Sequence, residues 1–303
     1  MISIIVCTAN RSKQLKQCLS HIVNSQNPGG ATELIVVDNN SSDNTKDIVA
    51  GFGDSSFCEI KYVFEGRQGH SRARNRGLAE ARYPLVAFTD DDCYVARDWM
   101  VSILREFSMD PSLHILGGRV ELAQAGDQPV GIRTFPDRLQ ISSIRELQSR
   151  MIGCNFVCAR EVFNEVGLFD RHLGKGSRCG CAEDTDFFYR TLKKGFKILY
   201  APEIAVFHAH GRSTSTATKS VRDDYARGRG AFYCKYILKG DLLILKEAMR
   251  EVRSLVRTTL QQNDAGCSGY PPTRALRKLA LGAVQRLLKR YHAFIKGIFT
   301  ICC

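Results

Sequence analysis

Leu85-Val86-Ala87-Phe88-Thr89-Asp90-Asp91-Asp92 is the stretch that decides the reading. Four apolar residues in a row form a short buried strand, and three carboxylates follow it. A single Asp at a strand end is ordinary solvated capping. Three in succession repel one another, and a divalent cation offsets that cost. In extended backbone Asp90 and Asp92 point to the same side, so both would reach one ion.

Similar apolar runs recur on either side, at residues 3–7, 34–37, 61–64 and 114–116, each followed by a helical period. Leu15, Leu19, Ile22 and Val23 mark the apolar face of the first helix, and residues 39–44 supply a cap before the next. Alternating β and α elements with buried, unalternated strands predict an α/β fold, a Rossmann-like, mostly parallel sheet with helices on both faces. In such sheets ligands bind beyond the C-terminal strand ends. The first strand is followed by Thr8-Ala9-Asn10-Arg11 and the second ends at Asp38, followed by Asn39-Asn40-Ser41-Ser42-Asp43-Asn44-Thr45. Neither the Gly-x-Gly-x-x-Gly of a dinucleotide fold nor a P-loop occurs, which sets both readings aside.

A second half begins with a strand at 154–158 and a short helix at 160–166, and ends with two strands at 197–200 and 205–208. Between them Arg178-Cys179-Gly180-Cys181-Ala182-Glu183-Asp184 leads into a helix opened by Asp186. The helix dipole favours one acid there and accounts less well for Glu183, Asp184 and Asp186 together. The Gly-rich, cationic residues 173–180 read as a mobile lid.

The 303 residues, 44% apolar and 24% charged, suffice for about two folded domains and exclude a disordered chain. Of the net charge of +12, residues 216–303 carry +11, from 17 cations and 6 anions, and residues 1–215 carry +1. A charge so placed faces phosphate, in lipid or nucleic acid, rather than setting the fold. Leu242, Leu245, Met249, Val252 and Val256 form one apolar helical stripe, and residues 273–299 form a second amphipathic helix. In that second helix Lys278, Gln285, Lys289, His292 and Lys296 fall within about 60° of arc, opposite Leu276, Ala283, Leu287, Phe294 and Ile298. The tail is expected to hold the protein on an anionic membrane surface or to offer an oligomerisation face, with Cys302 and Cys303 as candidate lipid acceptors. Residues 1–6 lack a cationic n-region and no apolar run approaches the ~18 residues of a spanning helix, so the expected location is cytoplasmic and peripherally membrane-associated. The twelve cysteines form no disulfide framework, and Cys154, Cys158, Cys179 and Cys181 read as packing residues rather than zinc ligands.

The pattern resembles the family 2 inverting glycosyltransferases with the GT-A fold. The matching stretches are Ser3-Ile4-Ile5-Val6-Cys7-Thr8-Ala9-Asn10-Arg11, Glu33-Leu34-Ile35-Val36-Val37-Asp38-Asn39-Asn40-Ser41-Ser42-Asp43-Asn44-Thr45, Gly69-His70-Ser71-Arg72-Ala73-Arg74-Asn75-Arg76-Gly77-Leu78, Asp90-Asp91-Asp92, Gly167-Leu168-Phe169-Asp170 and Glu183-Asp184. Their order and spacing over residues 2–212 carry the resemblance. It implies a nucleotide-diphosphate sugar donor, with UDP-sugars favoured, a Mn2+ or Mg2+ cofactor, and one-step transfer with inversion to a hydroxyl in glycan, polysaccharide or glycolipid synthesis, the acceptor being a glycan or a lipid-linked sugar. It implies Asp92 as the closest metal contact, with Asp90 and His208 as further ligands and His210 a lesser candidate. Asp184 matches the general base, with Glu183 beside it; Asp38 matches the acid at the nucleoside, with Thr8, Asn10 and Arg11 nearby. Arg67, Arg72, Arg74 and Asp91 fall where nucleotide-sugar contacts are expected. Two carboxylates suffice for the ion because the diphosphate supplies further oxygens, and the ion stabilises charge on the leaving group. Trp99, the only tryptophan, is read as packing of a helix at 98–107 in preference to a sugar platform.

The expected organisation is a catalytic domain over residues 1–215, its nucleotide-binding half about 1–117 and its acceptor half about 118–215, followed by a basic helical tail over 216–303. A nucleotidyltransferase is the rival enzyme, but Thr8-Ala9-Asn10-Arg11-Ser12-Lys13 is a poor match to its Gly/Lys-rich loop. A non-enzymatic nucleic-acid-binding protein would use the tail and Arg227-Gly228-Arg229-Gly230; the nearly neutral first two thirds offers no basic stripe, so no nucleic acid partner is expected.

Overall fold

The computed structural model describes residues 1–53, 58–261 and 271–301, with side chains described through Lys289. The chain divides into two compact units, one of Met1–Phe169 with Asp184–Gly211, the other of Asp170–Glu183 with Arg212–Cys303.

In the first unit the chain runs β1 (Ile2–Thr8), α1 (Ser12–Val23), β2 (Thr32–Asp38), α2 (Thr45–Ala50), β3 (Cys58–Phe64), α3 (His70–Glu80) and β4 (Leu85–Asp90). These four strands pair in parallel in the order β3-β2-β1-β4. Every residue of β2 is buried, and Ile2, Ile4 and Val6 of β1 pack with Leu15, Leu19 and Ile22 of α1. Full burial of such side chains contributes roughly 1.5–3 kcal/mol each, which fixes the strands and with them the loops at their C-terminal ends.

The chain continues through β5 (Cys93–Val95), α4 (Trp99–Met109), β6 (Leu113–Leu122), β7 (Leu139–Gln140), α5 (Ile144–Arg150), β8 (Asn155–Ala159), α6 (Glu161–Val166), α7 (Glu183–Lys193) and β9 (Lys197–His208). Beyond β4 the sheet order is β8-β6-β9-β5, with β7 on β9. Two antiparallel pairings build the site. β8 runs against β4, with Asn155 opposite Thr89, so the start of β8 meets the carboxylate run. β5 runs against β9, with Cys93 opposite His208, so the end of β9 lies beside Asp92.

Three expectations about local structure are corrected here. Asp91 and Asp92 form a turn after β4, so the run is not extended and Asp90 and Asp92 do not share a strand face. The strands expected at 197–200 and 205–208 are one strand, in which Gly118 pairs with Ala201 and Arg119 with Ala205. That register shift leaves Pro202, which has no N–H to give, outside the ladder. The stretch expected to be a mobile lid is anchored within the second unit. Leu173 and Cys179 are fully buried with Ala231, and the Cys181 N–H donates to the Asp224 carbonyl (3.0 Å).

The second unit therefore adds residues 170–183 and 212–215 to the expected tail. Its helices are α8 (Ser215–Ile237), capped by the Thr214 hydroxyl accepting from the Ala217 N–H, α9 (Leu242–Gln261) and α10 (Pro272–Ile301). α8 and α10 meet backbone to backbone. A Cβ on Gly230 would stand 1.8 Å from the Leu279 carbonyl oxygen, and one on Gly282 would stand 1.9 Å from that of Arg227. Gly228 and Gly230, which prompted the nucleic-acid reading, are thus close-packing positions. Asp170 accepts from Lys235 (3.0 Å) and Arg286 (2.9 Å), tying the 170–183 loop to α8 and α10. No helix among the described residues is long and apolar enough to cross a membrane. His292, Phe294, Lys296, Ile298, Cys302 and Cys303, which entered the tail reading, lie outside the residues whose side chains are described.

Candidate active site

Thr8, Asp38 and Asp90 close three adjacent strands, Thr8 in register with Asp38 and Cys7 with Asp90. The Thr8 hydroxyl donates to Asp91 (2.7 Å), and the Arg11 guanidinium spans Asp91 (2.8 Å) and Asp92 (2.7 Å). The three carboxylates of the run have different sets of partners, with Arg11 shared by Asp91 and Asp92. Asp90 turns to Arg74 (3.4 Å) and His70 (3.8 Å). Burial pushes Asp91 above the usual carboxylate range despite the opposing charge of Arg11. Burial pushes the same way at Asp92, but His208 and Arg11 outweigh it and hold Asp92 far below that range.

Asp38 accepts from the Ser41 N–H (2.8 Å) and the Tyr62 hydroxyl (2.7 Å). The loops after β1 and β2 lock together through Asn10, whose N–H donates to the Ser41 hydroxyl (2.9 Å) and whose side-chain oxygen accepts from the Ser42 N–H (2.7 Å). Asn10 and Asn40 hold positive φ of 55° and 64°, a region Asn tolerates better than most residues. Asn39 donates to the carbonyls of Glu65 and Arg67 and accepts from the Gly69 N–H, which shapes the turn leading to α3. Arg67 itself is exposed and reaches Glu65 (3.3 Å), and Arg72 is half-buried; neither is bonded to the carboxylate run.

Arg74 differs from those two. Its guanidinium is buried, lies 5.6 Å from the Phe169 ring centre and donates to the Gly153 carbonyl (2.7 Å). The Gly153 N–H donates to Asp184 (2.9 Å), whose other oxygen accepts from the Thr185 N–H (2.6 Å). A side chain at 153 would meet both neighbours, since its Cβ would lie 2.9 Å from the Arg74 nitrogens and 3.0 Å from the Asp184 oxygen. Residues 74, 90, 153 and 184 thus form one group. Glu183, buried, precedes Asp184 at the start of α7.

Among the described residues the donor set fits a divalent cation at one place. Asp92, Cys93 and His208 offer ligand atoms within 4.8 Å of one another, and Asp90 is outside that group. His208 Nε2 lies 3.3 Å from Asp92, while its Nδ1 is buried without a hydrogen-bond partner. Carboxylate and imidazole suit Mn2+. The Cys93 thiol is pushed up by the neighbouring Cys154 side chain and by burial, and a thiolate is a softer ligand than Mn2+ or Mg2+ favour. His210 is taken by Asp127 (3.3 Å) and the Gln128 carbonyl (3.1 Å), and its ring stands edge-on to His208. Trp99 is fully buried and donates to Asn155 (3.0 Å), so it packs the core.

A sequence model described as glycosyl transferase family 2 matches residues 3–167, more than half of the chain. The chain belongs to this family. Among curated members, glycosyltransferase AglE of Haloferax volcanii is 24% identical over 213 residues, 68% of this chain and 66% of that protein. The succinoglycan biosynthesis protein ExoM of Rhizobium meliloti is 28% identical over 67% of this chain and 64% of its own length. The chain thus spans a little under two thirds of these relatives. The mannosyltransferase PcManGT from Pyrobaculum calidifontis, solved with GDP-Man and Mn2+, superposes with a TM-score of 0.60 at 18% identity, over 97% of this chain and 82% of that one. TarS of S. aureus, solved with UDP, gives 0.55 at 19% identity over 75% of this chain and 65% of that one. The fold of this family 2 chain is accordingly GT-A, with C-terminal helices. Tyr62 and Gly153 lie outside the matching stretches, and Asn39 and His70 lie inside them without an assigned role, because each of the four joins the group through a contact made only in the folded chain.

Proposed function

We propose that this protein is a metal-dependent inverting glycosyltransferase that moves a sugar from a nucleotide-diphosphate sugar, with UDP-sugars favoured, to a hydroxyl of a growing glycan, polysaccharide or glycolipid. The observation that carries the reading is the convergence of Thr8, Arg11, Asp38 and the Asp90–Asp92 run at the C-terminal strand ends, with Asp184 joined to the same group through Gly153 and Arg74. Relatives of the same fold hold UDP, UDP-GlcNAc or GDP-Man, which supports a nucleotide-sugar donor.

Asp38, Asn10 and Thr8 would seat the nucleoside, and Arg11 and Arg74 would face the diphosphate. Asp92 and His208 would hold Mn2+ or Mg2+, which when bound supplies Lewis-acid stabilisation of charge on the diphosphate. Asp184 accepts the proton of the attacking acceptor hydroxyl; Gly153 and Thr185 hold its carboxylate in place for that transfer, so no rotamer search is needed as the bond forms. Attack opposite the leaving diphosphate inverts the anomeric carbon.

A thermal-shift screen of UDP-, GDP- and dTDP-sugars, with and without Mn2+, tests the reading. A rise in melting temperature with a nucleotide sugar that appears only with the metal is expected. No shift with any of them would overturn it.

A further inference from the structure

Two helices of the second unit, α9 and α10, turn large apolar side chains to solvent. On α10 the residues turned toward α8 are small or charged: Arg274 and Lys278 reach Asp223 of α8, Gly282 meets the Arg227 carbonyl, and Arg286 reaches Asp170. The opposite face, about 120° of arc at 100° per residue, exposes Leu281, Val284, Leu287 and Leu288, which are 40% to 52% accessible. α9 repeats the arrangement. Ile244 is buried and Glu251 accepts from Arg229 and Tyr233 of α8. Leu242, Met249, Val252, Val256 and Leu260, 36% to 74% accessible, fall within about 80° on the exposed side. Lys246, Arg250, Arg253 and Arg257 occupy the adjoining 60° or so. Of these, Arg250 pairs with Glu247, and the other three have no ion pair among the described residues.

A helix that turns polar and small residues to its own fold and apolar ones to solvent has an apolar partner elsewhere. We infer that the exposed face of α9, supported by that of α10, is a shallow docking surface for a membrane with anionic headgroups. Charge selects the occupant. An apolar stripe bordered by cations matches acyl chains bordered by phosphate. A second copy of the same face would set Lys246, Arg253 and Arg257 against like charges, whereas an anionic lipid surface matches both the stripe and its border. The residues involved are all outside the group assigned to the reaction, so the inference stands apart from the donor reading.

The test is flotation of the full chain with vesicles of phosphatidylcholine alone and with about a third phosphatidylglycerol, at low and high salt. The wild type should float with the anionic vesicles and be released by salt. Met249→Glu with Val256→Glu, and separately Arg253→Glu with Arg257→Glu, should each lower the bound fraction by about tenfold or more. Both pairs are exposed, so their melting temperatures and their nucleotide-induced shifts should match the wild type. Wild-type flotation by either double variant would overturn the inference, as would equal binding to neutral vesicles. So would a wild-type dimer, seen by light scattering, that the apolar double variant dissolves while no vesicle is bound.

Discussion

At the scale of single residues the site rests on differences among neighbours of like type. Asp90, Asp91 and Asp92 are consecutive, yet one faces Arg74, one Thr8 and Arg11, and one Arg11 and His208. The motif showed that carboxylates gather there; their division of labour depends on a turn and on β5, which three residues following acids do not announce. The three arginines 67, 72 and 74 look alike in sequence, but only Arg74 is buried against Phe88 and Phe169. Asp184→Asn is expected to keep the Gly153 bond and nucleotide binding while lowering turnover by ~10² to 10⁴, measured by steady-state kinetics beside a thermal-shift assay. Unchanged turnover would move the base to Glu183 or Asp186. His208→Ala should weaken Mn2+ binding, followed by the loss of the free-ion resonance signal on titration, because it removes one of the two ligands assigned to the ion.

At the scale of elements, β1, β2 and β4 were legible because each is an apolar run buried on both faces, and β3, half-exposed at the sheet edge, because its apolar residues continue the same repeat. β9 was read as two strands because Pro202 interrupts the pattern, and only the register shift opposite Gly118 and Arg119 shows how one strand tolerates it. The tail helices were legible from their periodicity, but which face they bury was not, because the contact is made by glycines that carry no hydropathy. Gly230→Ala tests that contact. The substitution gains about 1 kcal/mol of helix propensity, but the new Cβ would meet a backbone oxygen at 1.8 Å, and helices must separate to admit it. Overpacking of this kind costs typically 1–3 kcal/mol, so a net fall in melting temperature is expected by calorimetry. A rise would mean that the helices are not so closely joined. Asp170 sets a pH limit on the same unit. Burial pushes its carboxyl up, yet Lys235 and Arg286 outweigh that and hold it well below the usual range. A carboxylate depressed in the folded state stabilises above its unfolded value, about 4, and loses that contribution as pH falls through and below it. Wild type should therefore lose more melting temperature between pH 6 and pH 3 than Asp170→Asn, and equal losses would remove the ion pair from the account.

At the scale of the whole molecule, charge and chemistry are divided along the chain. Nearly all of the excess positive charge lies after residue 215, whereas the carboxylate group lies before residue 212. That division was visible from arithmetic alone; the assignment of 170–183 to the helical unit was not, because its Gly-rich composition resembles a free loop and its anchors, Asp170, Leu173 and Cys179, lie far in sequence from their partners. The central claim, that the Asp90–Asp92 group binds a nucleotide diphosphate through a divalent cation, is tested most directly by calorimetric titration of UDP into the full chain and into Asp92→Ala, each with Mn2+ and with EDTA. The account predicts binding by the wild type that needs Mn2+ and falls by about 10- to 100-fold in Asp92→Ala; equal binding by both proteins in EDTA would contradict it.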